Sequence, residues 1–168
     1  MKKVSVVFWL SLLLFPVSAE AIDYKAWIPL LPGTLGGNPR SGDPEGMNME
    51  MGANKWASLN QEYASGDGEK SVELSIMAGM GAPQVQGYQA MAGMNMQMET
   101  GDEIVKTVTV SGRKAMLTLD KKDKTGTLVI YLENYAVVVL QADPATEEAH
   151  LTQLAQELPL DKFAAAAK

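Results

Sequence analysis

With 168 residues, a net charge of −6 and no cysteine, the chain has the size of one ordinary domain and no thiols for disulfides or thiolate metal sites. Acidic residues outnumber basic ones by 20 to 14, and the only basic clusters are Arg113-Lys114 and Lys121-Lys122-Asp123-Lys124. Nucleic acid needs clustered cations to neutralise its phosphates, so it is excluded as a partner.

The chain opens with a targeting pattern. Lys2 and Lys3 precede an apolar run from Val4 to Val17, and Pro16 breaks that run before two small-residue motifs, Val17-Ser18-Ala19 and Ala19-Glu20-Ala21. Charged head, apolar core and cleavage motif in that order predict a secretory signal peptide over residues 1–19 or 1–21. The apolar run is shorter than the ~20 residues that span a bilayer. Cleavage is therefore expected, with no stable membrane insertion afterwards. A short basic head suits bacterial export, so the expected compartment is the periplasm, with full secretion as the second choice. Without a cysteine, no lipid-anchored N-terminus is expected.

Residues 22–54 hold Pro29, Pro32, Pro39 and Pro44 among six glycines. Proline removes a backbone donor and glycine resists order, so this segment is expected to be extended or irregular. Tyr24, Trp27, Ile28, Leu30 and Leu31 are apolar enough to pack it onto a folded body. That body, residues 55–168, reads as regular structure. Trp56 to Ala64 and Ser71 to Met77 are strand-like runs joined by the turn Ser65-Gly66-Asp67-Gly68, a hairpin pattern. Val72, Leu74 and Ile76 alternate with polar residues and should share one face. Pro83 to Met91 suits a short helix with proline at its start. Glu103–Val110, Lys114–Leu119, Thr127–Leu132 and Tyr135–Leu140 follow as strands with short polar links, which means antiparallel neighbours. The unbroken run Val137-Val138-Val139-Leu140 predicts a central strand covered on both faces. Asp143-Pro144 suits the start of a helix carrying Leu151, Leu154 and Leu158 as one apolar stripe and ended by Pro159. The fold expected is α+β, an antiparallel meander-type sheet of about five to six strands covered on one face by one or two helices.

The sharpest chemical feature is methionine. Nine of the eleven methionines lie between residues 47 and 98, and two segments are near-copies: Gly46-Met47-Asn48-Met49-Glu50-Met51 and Gly93-Met94-Asn95-Met96-Gln97-Met98. A neutral, polarizable thioether prefers Cu(I), or Ag(I) by the same logic, to harder cations. In an extended chain, alternate side chains point the same way about 6.5 Å apart, so Met-x-Met-x-Met lines one edge with sulfur. Thioethers also bind without releasing protons and form no disulfides. Met47, Met49, Met51, Met94, Met96 and Met98 are the candidate metal ligands. These segments resemble the methionine-rich tracts of periplasmic copper carriers. The competing reading is packing, since methionine is a flexible gap-filler, and it applies best to Met77, Met80 and Met91.

Catalytic signatures are missing from the sequence. His150 is the only histidine, too few for the common zinc sites and, without cysteine, no basis for a Cys–His pair. No Gly-x-Ser-x-Gly elbow is present. Asp120 to Gly126 has spaced acids but lacks the closing glutamate of a calcium loop, so it reads as a turn. The function expected is non-catalytic, a soluble periplasmic protein with a binding or envelope-interaction role. Its partner is an envelope protein or a soft metal ion, and no cofactor is required. A Cu(I)/Ag(I) carrier or buffer is the first alternative and a carboxylate-dependent hydrolase the second.

Overall fold

The structure is a computed structural model that describes residues 22–133 and 135–168. The segment expected to be a signal peptide, residues 1–19 or 1–21, lies outside the described residues.

Nine strands form one fully antiparallel sheet. In chain order they are β1 (Thr34–Leu35), β2 (Asn38–Met51), β3 (Asn54–Ala64), β4 (Ser71–Ala78), β5 (Gln97–Glu99), β6 (Glu103–Val110), β7 (Arg113–Asp120), β8 (Thr125–Leu132) and β9 (Ala136–Asp143). The helices are α1 (Pro83–Ala92), α2 (Glu148–Gln156) and α3 (Leu160–Ala165). The spatial order β1-β2-β3-β4-β9-β8-β7-β6-β5 is two meanders sharing the β4–β9 seam. Helix α1 carries the chain from β4 to the far edge at β5.

The α+β architecture agrees with the expectation, but the strand count does not. Nine strands replace five to six, because residues 22–54 contribute β1 and the 14-residue β2. Proline is tolerated on edge strands and at bulges. Pro39 sits at the start of β2, and Pro44 falls inside the register shift between Ser41 and Glu45. The three-residue β5 is the other strand that the sequence did not reveal.

The run Val137–Leu140 is central as expected, since β9 pairs with β4 on one side and β8 on the other. Val138 and Leu140 enter the main core with Leu59, Leu74, Ile76, Leu117, Leu128 and Ile130. Leu151 and Leu154 of α2 and Phe163 of α3 cover that face. Val137 and Val139 point the other way and pack with Val129, Tyr131, Ala82 and Val85 under α1. Helices thus lie on both faces rather than one. Helix α2 begins at Glu148, not at Asp143-Pro144. Asp143 still belongs to β9, and Ala145 is buried with its N–H bonded to Lys124 O at 2.7 Å. The tail beyond Pro159 is helical and buries Phe163, Ala164 and Ala167.

The N-terminal segment clamps β2 to the core face. Trp27 is fully buried and its Nε1 donates to Phe163 O at 3.3 Å. Tyr24 N donates to Asn48 Oδ1 at 3.0 Å, and Asn48 Nδ2 donates to Asp23 Oδ1 at 2.8 Å. The Tyr24 ring lies flush on Gly46, where any side chain would collide with it.

Candidate metal centre on the β2 edge

The register decides where the sulfurs point. In β3, Ala57, Leu59 and Tyr63 face the main core. Asn48 lies opposite Ala57 and Gly46 opposite Leu59, so both share that face and meet Asp23 and Tyr24. Met47, Met49 and Met51 alternate with them and lie opposite Ser58, Trp56 and Asn54. All three therefore occupy the α1 face of the sheet. Met47 is 44% and Met51 70% exposed, while Met49 is half-buried beside Trp56. Their thioethers recur at about 6.5 Å along one side of one strand.

Local structure explains this exposure. Pairing of β3 with β4 begins only at Ala57, so the hairpin tip runs past the end of β4. Gly52, at φ +63°, supplies the left-handed residue of the tight turn. Lys55 Nζ and Glu50 Oε1 close the tip at 3.1 Å. Beyond Pro39, the outer edge of β2 has no strand partner among the described residues.

The clamp beneath the methionines is partly ionic. The bond from the Asn48 amide, and then that from the Lys25 N–H, hold the Asp23 carboxyl below the usual aspartate value. Asn48 stands between Met47 and Met49, so this network fixes the strand that presents them.

The second segment is placed elsewhere. Met98 pairs with Val105, and the N–H of Met96 donates to Thr107 Oγ1 at 2.9 Å. Met94 is 53% and Met98 44% exposed, and Met96 is half-buried. Strands β2 and β5 are seven strand steps apart, roughly 33 Å along the sheet at ~4.8 Å per step. Met98 lies on the same face as the β2 triplet, but the two segments do not form one six-sulfur site.

Two residues lie beside the β2 group, Trp56 and Met77, and both pack against the cluster of Ala82, Val85, Val129 and Tyr131, as the sequence implied for Met77. Trp56 lies directly opposite Met49. Met77 lies opposite Ser58, on the far side of that serine from Met47. The signal for Met77 was legible. It continues the polar phase Ser71, Glu73, Ser75 of β4 rather than the apolar phase Val72, Leu74, Ile76.

Other chemistry is weaker. Among the described residues no three His, Asp or Glu side chains are grouped to hold a metal ion. A cavity of about 360 Å³ is lined by Ser71, Asp143 and His150. Nucleophilic catalysis needs the hydroxyl bonded to the imidazole and the imidazole to the carboxylate. No such bond links these three residues. Asp120 Oδ1 accepts from the N–H groups of Lys122 and Asp123, both at 2.8 Å, which makes residues 120–126 the hairpin turn the sequence implied. Among the described residues, no helix is long and apolar enough to cross a membrane.

No protein-family profile, curated protein or solved structure matches this chain.

Proposed function

We propose that this is an exported, non-catalytic, soluble periplasmic binding protein that takes a soft monovalent cation, Cu(I) or Ag(I), on Met47, Met49 and Met51. The observation that carries the reading is the alignment of three thioethers on one side of an edge strand, with Met47 at 44% and Met51 at 70% exposure. Methionines recruited for packing would be turned inward, and Met49 alone is tucked against a neighbour. Thioether donors favour Cu(I) or Ag(I) over hard divalent ions, and an acidic chain draws cations weakly towards its surface. Glu45 lies two residues before Met47 on the same face and forms no ion pair among the described residues.

The test is competition for Cu(I) between the metal-free mature chain and a chelator of known affinity. Binding no tighter than about 1 mM would end the reading. Substituting Met47, Met49 and Met51 together by leucine keeps volume and apolarity. It should abolish binding while leaving the fold intact.

A second reading follows from the unpaired outer edge of β2. An extended segment of an envelope protein could add there as a further strand, with methionines gripping its side chains. Ion binding that leaves the chain monomeric, with no such segment captured, favours the first reading.

A further inference from the structure

We infer that Trp56 belongs to the cation site, as the aromatic wall against which the ion rests, and that Met77 supplies a sulfur from inside the sheet. The inference deepens the Cu(I)/Ag(I) reading and rests on it. Trp56 faces Met49 directly across the β2–β3 ladder, and Met47 and Met77 flank Ser58 on the same face. Directly opposed side chains on a sheet stand about 5 Å apart and diagonal ones about 7–8 Å. Met47 and Met77 are both diagonal neighbours of Trp56. The small Ser58 between them leaves space that two long, flexible thioethers can lean across.

The indole is held from behind. Gly79, at φ +111°, lies so close that a Cβ there would come within 2.7 Å of Trp56 Cα. A Cβ on Gly81 would sit 3.2 Å from Trp56 Cδ1. The chain after β4 is thus wrapped onto Trp56, and the ring stays only half-buried. A cation over an indole face is attracted by its quadrupole, more strongly where water is thinned. Met51, opposite Asn54 at the hairpin tip, is the other diagonal neighbour of Trp56 on β2; at 70% exposure it serves as the outermost donor.

The mature chain keeps two tryptophans, Trp27 and Trp56. Trp27 is fully buried in the main core, on the other side of the sheet, and reports nothing at the site. Silver nitrate is titrated into the metal-free mature chain in chloride-free buffer while tryptophan emission is followed, with affinity measured separately by chelator competition. The emission change should saturate at the same ion-to-protein ratio as binding and vanish in Trp56→Phe. Trp56→Leu should weaken binding about 5- to 30-fold. Met77→Leu should weaken it by a similar factor. Tight binding with unaltered wild-type emission, and Trp56→Leu within about twofold of wild type, would overturn the inference while leaving the methionine reading standing. Binding by Met77→Leu within about twofold of wild type would remove Met77 from the site. Absence of any silver binding would overturn both.

Discussion

Replacing Gly46 by alanine tests how β2 is held. On backbone grounds the change should help, since alanine in a strand interior gains about 0.5–1 kcal/mol over glycine. The structure opposes that gain. A Cβ at position 46 would lie 2.0 Å from Tyr24 Cδ2, 2.4 Å from Cε2 and 2.5 Å from Cγ. The obstacle is the whole ring, including the atom nearest its backbone, so a small side-chain adjustment does not relieve it. Overpacking of this kind costs about 1–3 kcal/mol, and moving Tyr24 forfeits its N–H bond to Asn48, another ~0.5–1.5 kcal/mol. The cost exceeds the gain, and net destabilisation of about 1–3 kcal/mol is expected, or roughly 2–12 °C in Tm for a domain near 150 residues. Thermal unfolding followed by circular dichroism reads this directly. In a Tyr24→Ala background the same substitution should be neutral or mildly stabilising, so the double-mutant cycle should show a coupling of about 1–3 kcal/mol. A Gly46→Ala variant as stable as wild type, or a penalty that survives removal of Tyr24, would refute this packing of Tyr24 on Gly46.

Three further outcomes follow. Converting Met94, Met96 and Met98 to leucine should leave silver affinity at the β2 edge within about twofold of wild type, because the segments are seven strand steps apart; a large loss in competition titration would mean they act together. The Asp23 carboxyl is held below its ordinary value of 3.8. Its stabilisation of the clamp is therefore complete above that value and is lost as pH falls through the lower folded-state value. The Asp23 titration followed by NMR should shift upward in Asn48→Ala, and an unchanged midpoint would discard the clamp. Phe163→Ala empties a fully buried position between α3 and the sheet and should cost about 3–5 kcal/mol in urea unfolding, whereas a loss under ~1 kcal/mol would show α3 to be weakly docked.

Much of the body was legible because its residues obey simple periodicities. Val72, Leu74 and Ile76 alternate and are buried; Val137 to Leu140 do not alternate and lie in the middle of the sheet with cover on both faces. The hairpin at Ser65–Gly68 and the stripe Leu151, Leu154, Leu158 followed for the same reason. Strand β2 was hidden by its own composition. Pro39, Pro44, Gly42 and Gly46 oppose order locally, and only pairing with the strongly strand-forming β3, together with the Tyr24 ring on Gly46, fixes it. The start of α2 was misread because Asp143-Pro144 has a capping composition, while the sheet extends through Asp143 and the buried Ala145 delays the helix. For the site, the spacing of Met47, Met49 and Met51 puts them on one side of any extended chain, but that this chain is a paired strand was not legible. The face of Met77 was legible in the alternation of β4, but that Trp56 stands opposite Met49 and Met77 level with Met47 depends on cross-strand register, which no local pattern contains.

The most direct measurement of the central claim is X-ray absorption on the Cu(I)-loaded mature protein, wild type beside the variant with Met47, Met49 and Met51 all changed to leucine. Copper surrounded by sulfur neighbours is expected in wild type, and loss of those neighbours in the variant. Copper bound mainly through nitrogen or oxygen, or a sulfur shell unaltered by the three substitutions, would contradict it.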